Sequence, residues 1–90
     1  MPYIPQQARE DVFGREVHLG LNPLSPGELN YILTRIIHDH LRNVGVNYVN
    51  INSVIGVLEC AKLELYRQIA SPYEDIKKNT NGPVSELDGI

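Results

Sequence analysis

The 90 residues contain one cysteine, Cys60, so no disulfide can form within the chain and nothing covalent staples a domain this small. Basic residues are sparse as well. Eight Lys and Arg face eleven Asp and Glu, giving a net charge of −3 and a pI near 5.5, and only Lys77 and Lys78 are adjacent. Duplex binding driven by counterion release is thereby excluded, because it needs a clustered basic footprint. No apolar run approaches the roughly 18 residues of a membrane span. The start, Met1-Pro2-Tyr3-Ile4, has neither the basic flank nor the apolar stretch of a signal peptide. The cytoplasm is the expected location, a reducing compartment in which a lone cysteine serves as a small apolar side chain. Also missing are a Gly-rich phosphate loop, a nucleophile elbow and the His-x-Glu with Cys-x-x-Cys of zinc deaminases. No enzyme and no cofactor is expected.

What is present has a globular balance, 42% hydrophobic and 21% charged, in a length suited to one domain. Such a short chain buries a small fraction of its surface, so partner subunits are the most economical source of further burial. Pro2, Pro5, Gly14, Gly20 and Pro23 make residues 1–24 an arm, with room for a helical turn or two from Gln6 to about Val12. Ser25-Pro26-Gly27-Glu28 is a capping box with proline at the first helical position, and it opens a first long helix over 25–44. Leu29, Ile32, Leu33, Ile36, Ile37, His40, Leu41 and Val44 recur there at three- and four-residue steps, giving one apolar stripe. Gly45 ends it.

A second helix spans 50–79, with Asn47, Asn50 or Asn52 as its cap and a kink at Pro72, where Ser71-Pro72-Tyr73-Glu74 repeats the capping pattern. It is apolar around most of its girth, through Ile51, Val54, Ile55, Leu58, Ala61, Leu65 and Ile69 on one side and Val57, Cys60 and Leu63 on another. A helix of that kind is covered on more than one side. The neighbours of Cys60 point to a buried thiol, and Gly56 with Cys60 makes a small patch where another backbone can cross. Asn81-Gly82-Pro83 stops the structure, leaving a loose tail over 82–90. The expected fold is all-α: a helical hairpin with an extended N-terminal arm and a kinked C-terminal helix, assembled as a homo-oligomer.

His38-Asp39-His40 invites a metal reading, but positions i and i+2 of a helix point roughly 200° apart. Only His18, in the loop, is left as a third ligand, and no metal site is expected. More informative are polar residues beside the stripes. Tyr31, Arg35, His38 and Arg42 line one face of the first helix, with Asn30 and Thr34 on an adjacent strip. Glu59, Lys62, Tyr66, Arg67 and, past Pro72, Tyr73 form a second mixed surface. Aromatic rings stack on bases and guanidinium groups grip phosphates. These faces are either solvated helix surfaces or the walls of a site for a nucleotide-sized anion.

The run Ile55-Gly56-Val57-Leu58-Glu59-Cys60-Ala61-Lys62-Leu63-Glu64-Leu65-Tyr66-Arg67, followed by Pro72-Tyr73-Glu74-Asp75 and Asn81-Gly82, resembles a family of short phage and bacterial proteins of unknown function. Its members similarly open with Met-Pro-Tyr-Ile and carry the pattern of Leu29-Asn30-Tyr31 and Thr34-Arg35, but close soon after Asn-Gly with Asp-Val-Tyr, where this chain continues with Pro83-Val84 and a tail. The resemblance implies that Tyr3, Asn30, Tyr31, Arg35, Glu59, Tyr66, Arg67 and Tyr73 belong to a shared pattern. By analogy with small phage proteins of other families that sequester nucleotide immune signals, the expected function is a non-catalytic ligand-binding protein, an anti-defence sponge holding a small anion between subunits. Arg35 and Arg67 would grip phosphate, Tyr31, Tyr66 and Tyr73 would stack, Asn30 and Glu59 would read polar edges, and Tyr3 would close the site. The alternative is a protein-interaction adaptor that acts on a host or phage protein through an exposed helix face.

Overall fold

A computed structural model describes residues 2–16 and 23–89. The other positions of the expected arm, His18 among them, lie outside the described residues. In order along the chain come α1 (Gln6–Glu16), α2 (Pro26–Val44), α3 (Tyr48–Leu65), a π-turn (Tyr66–Ala70), α4 (Ser71–Asn81) and a 3-10 turn (Glu86–Gly89). Among the described residues there is no strand, and the chain is all-helical. No described helix is long and apolar enough to cross a membrane. The chain divides into two units, Met1–Val57 and Leu58–Ile90.

In the first unit the extended segment is shorter than the proline and glycine pattern implies, because α1 continues through Gly14 to Glu16. Good helix formers outweigh one glycine over that stretch. The Arg9 guanidinium folds back on the segment before it, its Nε donating to the Ile4 carbonyl at 2.7 Å. Ser25 opens α2 as the cap pattern requires. The Glu28 amide donates to Ser25 Oγ at 3.1 Å and the Ser25 amide donates to Glu28 Oε1 at 2.8 Å, a reciprocal box with Pro26 at the first helical position. Gly45 ends α2 at φ +107°, in the region that disfavours every other residue, and its N–H reaches the Leu41 carbonyl at 2.8 Å.

The corner after Gly45 is built from asparagine amides. Asn47 caps α3, its Oδ1 accepting from the Asn50 amide at 2.9 Å. Asn50 Nδ2 then donates to the carbonyls of Val44 at 3.0 Å and Gly45 at 2.9 Å, satisfying groups that the end of α2 leaves open. Leu41, Gly45, Asn50 and Val54 around this corner are half-buried, as are Ile32 and Ile37 on α2. These bonds seat the first turn of α3 on the end of α2, and within the first unit the two helices have no packed interface along their sides. The expected hairpin is therefore not formed there: the apolar side chains that would close it, Leu33, Ile36, Val44, Ile51 and Ile55, remain exposed.

In the second unit Pro72 does not start a new capped helix. Its missing N–H and its ring, which clashes with the carbonyl four residues back, are accommodated by widening the preceding turn, so that the Ser71 amide donates to the carbonyl of Tyr66, five residues earlier. Ser71 makes no capping bond, and helical geometry runs unbroken from α3 through the π-turn into α4. The tail after Gly82 is ordered by local bonds: Val84 N–H donates to Asp88 Oδ2 at 2.8 Å, and the Leu87 and Asp88 amides donate to the hydroxyl and carbonyl of Ser85. Ser85 and Asp88 thus replace the expected loose tail with a short turn. Across both units no described residue is buried. Cys60, expected as a buried thiol, is exposed, and a Cβ added at Gly56 meets nothing within 4 Å, so no described backbone crosses there.

Ser25→Ala should cost about 1 kcal/mol of helix stability. The two bonds with Ser25, first backbone and then side chain, hold the Glu28 carboxyl below its ordinary value of 4.5. The contribution of Glu28 to the cap is therefore complete above pH 4.5 and is lost as pH falls through the lowered folded value. Circular dichroism followed against pH should show α2 weakening in that acid window; the Glu28→Gln protein should lack the transition, whereas Ser25→Ala, which keeps the backbone donor, should retain it in weakened form. Gly56→Ala should raise stability by about 1 kcal/mol, because it removes mid-helix glycine where the chain leaves open space; urea unfolding measures it.

Candidate functional site

On α2 the geometry joins two of the expected residues directly. Arg35 Nη1 donates to the Tyr31 hydroxyl oxygen at 3.2 Å, one turn away on the same face. The bond to the Tyr31 hydroxyl first, with the nearby Asp39 carboxylate adding to it, raises the arginine's pKa above its ordinary value, so the guanidinium stays charged. Asp39 is itself bonded by Arg42. Beside this ladder Thr34 Oγ1 donates to Asn30 Oδ1 at 3.1 Å, leaving the Asn30 amide group turned to solvent as a donor. Tyr31, Arg35 and Asn30 are exposed. Tyr3, on the segment before α1, is exposed as well.

Two cations of α3 and the π-turn have carboxylates nearby. Lys62 pairs with Glu59 at 3.0 Å and Arg67 with Glu64 at 3.2 Å, each three residues along the helix. Glu59 and Arg67 are thus drawn to helix neighbours and not to one another. In the second unit Tyr66 borders a hollow of about 540 Å³ together with Glu74, Lys77, Lys78, Asn81 and Asp88. Asp75 adds a third carboxylate against two ammonium groups, so the hollow has no excess of positive charge to favour phosphate. Tyr73 faces elsewhere, with the Lys77 ammonium 5.7 Å from its ring centre, a cation–π contact.

The π-turn explains why Tyr66 and Tyr73 part company. Seven residues along an α-helix return to nearly the same face, but the extra residue of a π-turn rotates the helix beyond it by about 100°. Lys77, Lys78 and Asp88 were not candidates on the sequence. The glycine-proline stop gave warning of a turn after α4, but the Ser85 and Asp88 bonds that bring Asp88 to the hollow had no period to betray them. Among the described residues no group of His, Cys, Asp and Glu could hold a metal ion.

Residues 1–84 match the model of a domain of unknown function, DUF6899. No curated protein and no solved structure matches the chain. The match takes in all eight expected site residues and ends before the Ser85–Asp88 turn.

Pro72→Ala tests the origin of the π-turn. Restoring the missing N–H should return Tyr66–Ala70 to α-helical bonding, raise stability by up to about 3 kcal/mol and rotate Tyr66 away from the hollow. Amide hydrogen exchange reads the first two effects, and nuclear Overhauser contacts between Tyr66 and α4 read the third.

Proposed function

The chain belongs to the DUF6899 family, and from the geometry of α2 we propose that it is a self-assembling, non-catalytic protein that captures a small anionic, nucleotide-like ligand. One observation carries this reading. The Arg35 guanidinium leans on a tyrosine hydroxyl instead of a carboxylate, so most of its five N–H donors face solvent next to an exposed aromatic ring. Guanidinium recognises phosphate through paired donors, and the Tyr31 ring offers a face on which a base can stack. Asn30 adds a polar edge within one residue of that ring. Glu59, Tyr66, Arg67 and Tyr73 form faces of their own in the second unit, and capture does not require one chain to unite them with α2, because an assembly presents several copies. Tyr3 completes the candidate set as a residue that can cover a bound ligand from the N-terminal segment.

Among the described residues no hydrogen bond joins a nucleophile to a base, and the reading is of binding without turnover. In a phage setting such a protein acts as a sponge for a nucleotide signal. The alternative, an adaptor that grips another protein, draws on a different observation: large apolar side chains such as Val57, Leu63 and Ile69 stand exposed along the helix through the π-turn.

Native mass spectrometry of gently purified protein should show an oligomer carrying excess mass equal to a nucleotide, released unchanged on denaturation. Arg35→Ala should weaken binding of that nucleotide at least about tenfold while the oligomer's mass stays the same. Retained affinity in Arg35→Ala overturns the assignment of the site, and a released ligand that has been hydrolysed overturns the non-catalytic reading.

A further inference from the structure

Asn81 and Gly82, which end α4, are also a chemically reactive pair. The nitrogen of the residue after an asparagine can close a five-membered ring on the asparagine's amide carbon, and glycine, having no Cβ, obstructs that approach least. Of the chain's eight asparagines Asn81 alone precedes glycine; the others precede proline, serine or a larger residue. Both members of the pair are exposed, and a Cβ built on Gly82 meets no described atom within 4 Å, so water and room for the ring are at hand.

The end of the helix restrains the pair. Asn81 is the last residue of α4, and the Gly82 N–H donates to the Lys78 carbonyl at 2.8 Å, so the attacking nitrogen points along the helix and its proton is engaged. Gly82 sits at φ +90°, where glycine is favoured, and the residue that caps the helix is therefore the one that carries the reactive nitrogen. Ring closure requires the cap bond to open and Asn81 to turn about its Cα–C bond.

We propose that Asn81 is a self-modification site, restrained by the Gly82–Lys78 cap bond, at which the chain converts its own amide to a carboxylate with water as the only co-reactant. When the last turn opens, the Gly82 nitrogen gives up its proton to water and bonds to Asn81 Cγ. The Cγ–Nδ2 bond breaks, and Nδ2 takes up a proton and leaves as ammonia, which gives a cyclic imide. Water then adds to one of the two imide carbonyls. Opening at Cγ leaves aspartate at position 81, and opening at the main-chain carbonyl leaves isoaspartate, with the chain running through Cβ and one atom longer.

Either product puts a negative charge in the last turn of α4, at the pole of the helix that favours cations and where Lys78 stands. Isoaspartate also shifts the Gly82 N–H out of register with the Lys78 carbonyl, so the cap is lost. Asn81 borders the hollow beside Tyr66, and there the product adds a fourth carboxylate to those of Glu74, Asp75 and Asp88. The chemistry needs neither ligand nor second subunit and stands apart from the ligand-capture reading.

The test incubates the full chain at neutral pH and follows its intact mass and peptide map. Asn81 should lose its amide before any other asparagine, with aspartate and isoaspartate both found there. Asn81→Gln, which would have to close a six-membered ring, should keep its mass over the same period. Asp88 also precedes glycine but has no amide to lose, so the mass change does not read it. Asn79, exposed and two residues upstream, tunes the last turn without altering the pair. Asn79→Gly should react about fivefold faster than Asn79→Ala, in proportion to glycine's poorer helix propensity, and the two should react equally in concentrated urea, where no cap remains. Absence of amide loss at Asn81, or earlier loss elsewhere, overturns the site. Equal rates for the two Asn79 variants in buffer, or a wild-type chain that reacts as fast in buffer as in urea, overturn the restraint by the cap.

Discussion

Burial is the constraint on which everything else in this chain depends. Hydrophobic burial is the largest favourable contribution to folding, and each ordered residue gives up on the order of 1–2 kcal/mol of conformational freedom against it. Here the described residues have neither a buried side chain nor a disulfide to offset that loss. Local bonds hold the helices: the Ser25–Glu28 box, the asparagine corner and the ladders along α3 and α4. Such bonds define where helices start, turn and stop, but isolated helices are marginal in water, and most of their stability comes from packing an apolar face. The apolar face exists, on α2 above all, and none of the described residues buries its centre.

The same constraint orders the elements. Asn50 ties the first turn of α3 to the terminal carbonyls of α2, so the corner is rigid while the flanks of both helices remain open. A connector that let the helices fold side by side would have used the α2 stripe within the chain. With the first turn of α3 seated on the end of α2, the centre of the stripe stays exposed.

The helices, the Ser25 box and the Gly45 stop were legible because each follows a short-range rule with residues in view. Periodicity gave the α2 stripe for the same reason. The hairpin was not legible, since the stripe on one helix states only that it has a partner and is silent on which surface that is. Cys60 shows the same limit: apolar neighbours on its own helix pointed to burial, but burial is conferred by what lies across from it, and none of the described residues covers it. The π-turn misled in a different way. Pro72 announced a disturbance, but whether a helix answers proline by breaking or by widening depends on the cost of losing the α4 bonds, and Tyr66 and Tyr73 were aligned by a period that the widened turn shifts. Of the candidate site, the Tyr31–Arg35 pair followed from four-residue spacing, while the pairing of Glu59 with Lys62 and of Arg67 with Glu64 turns those residues toward local partners.

The two faces of α2 have opposite chemistry and lie on opposite sides, and this bears on how a ligand would be held. Leu33 and Ile36 lie on the side of α2 away from Tyr31 and Arg35, so a change on the apolar side leaves the tyrosine–arginine pair in place. Aromatic and cationic side chains also stand in the second unit, at Tyr66, Arg67, Tyr73 and Lys77. Arg35 differs from Arg42 and Arg67, which pair with carboxylates, in leaning on a neutral hydroxyl. A carboxylate partner would have cancelled the charge that an incoming anion needs, and the tyrosine holds the guanidinium in place without cancelling it.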